Sequence, residues 1–128
     1  MKLIGRAIYR GKVHGVSLVS QQMISFFGGI DPQSGIIVQK GHERIGESIA
    51  NKILVFPTGT GSTVGSYTLY RLKQNHCAPL AIVNAECEPI TAVGCIIAEI
   101  PCVDQIPIES IPHGVELYVD GEVGSVEF

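Results

Sequence analysis

The 128-residue chain contains no tryptophan, and its four tyrosines and four phenylalanines are not interleaved with any basic cluster. With an isoelectric point near 5.7, that pattern argues against a nucleic-acid partner. Basic residues are missing from a large part of the sequence. All nine Lys and Arg lie at or before Lys73, opposed there only by Asp31, Glu43 and Glu47, for a net +6; the remainder carries nine acids and no Lys or Arg, for a net −9. If the halves form separate faces, an anionic small molecule belongs on the N-terminal half and the acidic half faces solvent or a basic partner. If folding interleaves them, the charges mix. No apolar run approaches the roughly 18 residues of a membrane span, and Lys2, Arg6, Arg10 and Lys12 break up the start without a signal-peptide core. A cytoplasmic protein without a membrane partner is expected. Cys77, Cys87, Cys95 and Cys102 form no C-x-x-C pair, so the expectation is no metal site made by this chain alone, and buried thiols in a reducing compartment. His42 reads as a plain surface histidine, as do His14, His76 and His113, since none has a second histidine at a metal-binding interval.

What is present suits one globular domain over residues 1–128. The sequence is 45% hydrophobic and only 16% charged, a balance that points to a surface partly covered by a partner. Leu3 to Ser20 alternates apolar and polar residues around Gly5, Gly11 and Gly15, which predicts two strands. Ser25-Phe26-Phe27-Gly28-Gly29-Ile30-Asp31-Pro32 runs two aromatics into a turn that brings backbone close to something, and Ile36-Ile37-Val38 is a short strand candidate. Ile53 to Phe56 and Leu80 to Val83 read as buried strands around a helix ending near Lys73, a parallel strand-helix-strand unit. Pro89 suits the first position of a second helix, whose Ile90, Val93, Ile97 and Ile100 fall on one face, predicted as core. Cys102-Val103 suggests a further strand, and Leu117 to Val123 a hairpin of the Asp-Gly type.

The densest signal is Pro57-Thr58-Gly59-Thr60-Gly61-Ser62-Thr63-Val64-Gly65-Ser66, between a buried strand and a helix. Ser62 or Ser66 is the expected N-cap. Glycines keep the backbone bare, and the orphan N–H groups of the helix start converge on Ser62, an arrangement for holding an anion or stabilising an oxyanion. Named phosphate loops do not fit. No Lys precedes Ser66, and Gly59, Gly61 and Gly65 are spaced one residue longer than the dinucleotide fingerprint. A glycine-rich helix entry that only closes packing remains open on spacing alone.

Three ordered motifs carry a resemblance: Ser25 to Pro32, Pro57 to Tyr67, and Ala78-Pro79-Leu80-Ala81-Ile82-Val83 with Pro89-Ile90. They resemble the swivel domain of the aconitase X family, over most of the chain from about Gly5 to Ile100. At this length the chain is similar to the free-standing small subunits of the family rather than its fused forms. The resemblance implies an α/β fold, a swivelling β/β/α domain like the last domain of aconitase. It also implies a heterodimer with a large subunit whose cysteines hold an iron-sulfur cluster, with the cluster iron as Lewis acid on the departing hydroxyl. The implied activity is a hydro-lyase reaction, dehydration of (R)-5-phosphomevalonate to trans-anhydromevalonate 5-phosphate in an archaeal mevalonate route to isoprenoids.

Carried over by motif, Ser62 takes the proton alpha to the carboxylate. Gly59, Gly61, Thr63 and Gly65 shape the turn, Ser66 caps the helix, and Gly28 and Gly29 line the approach. Two positions depart from the pattern. Val64 follows Thr63 where aconitase has an arginine, and Thr60 stands where many aconitase X swivel domains carry Lys or Arg, so the missing cations are expected from the large subunit. Related complexes dehydrate cis-3-hydroxy-L-proline, and the loop does not discriminate the two substrates. Outside hydro-lyases, the alternatives are a non-catalytic phosphate or nucleotide-binding module and a phosphohistidine carrier, the latter without a histidine beside the turn.

Overall fold

The computed structural model describes residues 1–128. In chain order it comprises β1 (Lys2–Ile4), β2 (Arg6–Tyr9), β3 (Lys12–Val19), a single distorted turn α1 (Phe26–Gly29), β4 (Ile53–Phe56), α2 (Gly65–Gln74), β5 (Ala81–Asn84), α3 (Pro89–Ala98), β6 (Cys102–Asp104), a short 3₁₀ turn (Ile108–Ser110), β7 (Glu116–Asp120) and β8 (Ser125–Glu127). The strands form one sheet in the order β1-β8-β7-β3-β4-β5-β6-β2. β3, β4, β5 and β6 run parallel, and the other pairings are antiparallel. β1 and β2 sit at opposite ends of that order yet are separated only by Gly5, so the first residues of the chain close the sheet on itself. Gly5 is required at the crossing, because a Cβ there would lie 2.1 Å from the Asp104 carbonyl oxygen.

Alternation along the central strands divides the interior into two cores. Every residue of β4 and β5 is buried, as expected for strands covered on both faces. Ile53, Val55, Ala81 and Val83 point inward with Leu117, Val119 and Val126, filling the space enclosed by the sheet. Leu54, Phe56 and Ile82 point outward to Leu69 and Leu72 of α2 and Cys95 and Ala98 of α3. The result is a β/β/α layering, an α/β fold with both helices on one side.

Several expectations from the sequence need correction. The first twenty residues hold three strands, since Gly5 and Gly11 each interrupt the run. Ile36 to Val38 does not form a strand: Ile37 bridges Ile30 and Ile36 bridges Ser48, each in isolation. The Asp-Gly hairpin has a four-residue loop, 121–124, in which Asp120 Oδ1 accepts from the N–H groups of Glu122 and Val123. His42 is buried rather than on the surface, with Nε2 3.0 Å from Ser20 Oγ and Nδ1 accepting from Arg44 N. The expected core face of α3 holds only in part: Ile100 is buried and Ile90 half-buried, but Val93 and Ile97 are 46% and 43% exposed, and the helix's buried side is Thr91, Gly94, Cys95 and Ala98. The basic and acidic halves interleave, since β1 and β2 pair with β8 and β6, and Arg6 bonds Asp104 bidentately at 2.8 and 2.9 Å.

Candidate functional site

The loop after β4 is pinned before it opens. Asn84 Nδ2 donates to the Phe56 carbonyl at 3.0 Å, and Ala85 and Glu86 both donate N–H groups to the Pro57 carbonyl. On the other side Ile24 bridges Gly59 as a parallel strand residue, with Thr60 N donating to Ile24 O at 3.0 Å. Gly59 is buried, and a Cβ there would lie 2.3 Å from both Glu88 Oε1 and Thr91 Oγ1. It is therefore scaffold, the one residue that lets the loop lie over the capped start of α3. Glu88 makes that cap by accepting from Ile90 N and Thr91 N, each at 2.8 Å.

Beyond Gly59 the chain emerges. Gly61 has φ +100°, in the left-handed region, and a Cβ would lie 2.4 Å from Ser25 Oγ. Glycine is demanded both by conformation and by space. Ser62 and Thr63 follow, exposed. Ser62 Oγ accepts the Val64 N–H at 3.2 Å, and Ser62 O accepts the Gly65 N–H at 2.9 Å, so the serine folds over the first turn of α2. The N–H groups of Gly61, Ser62 and Thr63 have no acceptor within the chain.

The expected N-cap is corrected by this geometry. The helix proper starts at Gly65 with Val64 at the cap position, and neither serine occupies it. Ser66 lies inside the helix, buried, and its hydroxyl donates to the Ile90 carbonyl at 2.8 Å. Its role is to tie α2 to α3. Gly65 is buried against Ile90 and Phe26. Of the pair expected to line the approach, Gly28 is exposed at φ +84° with open space around it, whereas Gly29 is buried against Gln39 and belongs to the scaffold. The fold thus leaves Gly61, Ser62 and Thr63 exposed on one turn and Gly28 exposed on α1, and buries Gly29, Gly59, Gly65 and Ser66.

Sequence reasoning missed the residues that hold this turn. Gln39 Oε1 accepts from Ser25 N at 2.8 Å and its Nε2 donates to Met23 O at 3.1 Å, clamping the segment against which Gly61 rests. No local pattern announces such a clamp. The Glu88 cap had a signal, an acceptor residue directly before Pro89 at a helix start. Arg6 does not reach the turn, being committed to Asp104.

The four cysteines do not suit an iron-sulfur cluster. All are buried and unpaired, and no group of three His, Cys, Asp or Glu side chains gathers at a metal-holding spacing. Cys87 and Cys102 lie with sulfurs 3.8 Å apart inside the fold, and the hydrogen bond with Cys102 together with burial pushes the Cys87 thiol well above its ordinary range. No helix is long and apolar enough to cross a membrane.

The chain matches the model of the aconitase X swivel domain over residues 2–128. It is 52% identical to the phosphomevalonate dehydratase small subunit of Methanosarcina acetivorans, over 99% of this chain and 90% of that protein. It is 49% identical to the protein of the same name from Thermococcus kodakarensis, over 99% of this chain and 96% of that one. A crystal structure of Thermococcus kodakaraensis aconitase X in its holo-form superposes with a TM-score of 0.98 at 48% identity, covering 99% of this chain and 97% of that chain.

Proposed function

The chain belongs to the aconitase X swivel-domain family, and from that premise we propose that it is the small subunit of a phosphomevalonate dehydratase, with residues 1–128 forming its one swivel domain. The reaction is the dehydration of (R)-5-phosphomevalonate to trans-anhydromevalonate 5-phosphate, in an archaeal mevalonate pathway. The C–H bond alpha to the carboxylate and the C–O bond of the tertiary hydroxyl break, and water leaves.

Ser62 is the residue assigned to the C–H bond. A serine hydroxyl is a very weak base in water, so its alkoxide needs stabilisation built into the site. Three features of the turn supply it. Val64 N–H donates to Ser62 Oγ, the positive end of the α2 dipole lies beneath, and the free N–H groups of Gly61, Ser62 and Thr63 add partial positive charge around the bare turn. That exposed serine at a helix start, its Oγ accepting the Val64 N–H, is the observation that carries the reading. Gly28 and Thr63 border the approach. In this reading the large subunit holds the iron-sulfur cluster, which when bound supplies the Lewis acid for the departing hydroxyl. The cysteines here are left structural.

The test is anaerobic reconstitution of the chain with the large subunit from the same organism, assayed on phosphomevalonate and, for comparison, on cis-3-hydroxy-L-proline. The expected product is trans-anhydromevalonate 5-phosphate, formed only by the pair. Turnover of hydroxyproline alone would move the substrate assignment, and no turnover of either by an assembled pair would overturn the reading.

A further inference from the structure

We propose that the outer face of α3, with the adjoining start of α2, is the seat on which the large subunit docks; this rests on the small-subunit reading above. From Pro89 to Ala98 the helix carries no charged residue at all. A helix apolar on every side is one covered on every side. Within this chain the inner side is covered by the sheet and by α2, while Val93, Ile96 and Ile97 stand 46%, 51% and 43% exposed. A groove of about 350 Å³ is lined by Val93, Ile97 and Ile90 of α3 and by Thr63 and Tyr67, the tyrosine 64% exposed, and Ile96 adds to the bare face outside it.

Position and charge select the occupant. The groove begins at Thr63, one residue from Ser62, so a body seated in it also covers the exposed turn. A second copy of this chain on a two-fold axis would set each Ser62 turn near its own image, and neither copy brings a cluster of metal-ligating side chains to complete a dehydration site. In the small-subunit reading that cluster comes with the large subunit. The ends of the helix are flanked by exposed Glu86 and Glu99, and no Lys or Arg occurs anywhere after Lys73. Glu99 holds a left-handed backbone (φ 56°) where glycine is the usual residue. The complementary surface is therefore an apolar centre with basic residues at its rim.

The experiment measures association of the chain with the large subunit from the same organism by anaerobic sedimentation, for wild type, Val93→Arg, Ile96→Arg, Glu99→Lys and Ser62→Ala. Ile96→Arg and Val93→Arg should each weaken binding by about 30-fold or more, the scale of a buried interface anchor, with the melting temperature of the free chain unchanged because both side chains are half exposed. Glu99→Lys should weaken binding most at low salt, and Ser62→Ala should bind as wild type. If either arginine variant melts early, Tyr67→Arg on the opposite wall takes its place with the same expectation. Binding of these variants within two-fold of wild type, by a pair that still dehydrates phosphomevalonate, would overturn the docking surface and leave the function standing. A free chain that sediments as a dimer and is dissociated by Ile96→Arg would assign the face to a second copy instead. A wild-type chain that does not bind the large subunit would overturn both.

Discussion

Gly61 is where conformation, space and chemistry meet most tightly. At φ +100°, and with Ser25 Oγ where its Cβ would be, Gly61→Ala has both a strained backbone and a clash to resolve. A cost of about 1–3 kcal/mol is expected in urea unfolding, and the turn must shift to relieve it. Because displacements near 1 Å cost up to about 100-fold in rate, kcat of the assembled complex should fall by a larger factor than the KM changes. Asp31 offers a residue-scale test by pH. Hydrogen bonds from the Ser34 hydroxyl and the Gln33 N–H hold its carboxyl below the ordinary value of 3.8. A depressed folded-state value stabilises the fold above the unfolded value, and that contribution is lost as pH falls through the folded one. Asp31→Asn should thus lower the Tm at pH 6, and the gap between the two proteins should close as the pH falls towards 2.

Between elements, the contact that matters most for the site is α2 on α3. Gly94 permits it: a Cβ there would lie 2.5 Å from Leu69 Cδ1 and 3.3 Å from the Ser66 Cα. Gly94→Val should destabilise by about 1–3 kcal/mol through overpacking, read from urea unfolding, because the valine has no room unless the helices part and the Ser66 hydroxyl leaves the Ile90 carbonyl. The central strands and both long helices were legible. Continuous apolar runs at 53–56 and 80–83, and Pro89 at a helix start, each carry their own local signal. The facing of α3 was not legible, because a helix without charge has no polar side to mark the solvent. Nor was the true start of α2, since Ser66 found an acceptor on another helix and Ser62 reached over Val64. Ile36 to Val38 had strand composition but met only single bridging residues, Ile30 and Ser48. At the site, the Ser62 turn could be read from glycines after a buried strand. The Gln39 clamp on Ser25 and the Glu88 bed under Gly59 come from contacts across the fold, where local periodicity carries no information.

For the molecule as a whole, closure depends on the first nine residues, which join the two edges of the sheet. Arg6 is the latch, since Asp104 is fully buried and accepts from Arg6 and from Cys87 N. Arg6→Ala leaves that carboxylate with one partner and should lower the urea midpoint, with hydrogen exchange rising first along β2 and β6. Asp104→Asn keeps only one acceptor oxygen and turns its NH2 toward a donor of Arg6 or Cys87, so it should lower the midpoint as well. The same closed frame presents the Ser62 turn and the bare face of α3 on adjoining surface, so chemistry and assembly are separable by mutation. The most direct measurement is therefore the dehydration rate of the assembled complex carrying Ser62→Ala, with subunit association recorded in the same preparation. The account predicts wild-type association and a fall in kcat of about 100- to 10,000-fold, the range for loss of a general base. Turnover within a few-fold of wild type by an intact Ser62→Ala complex would contradict it.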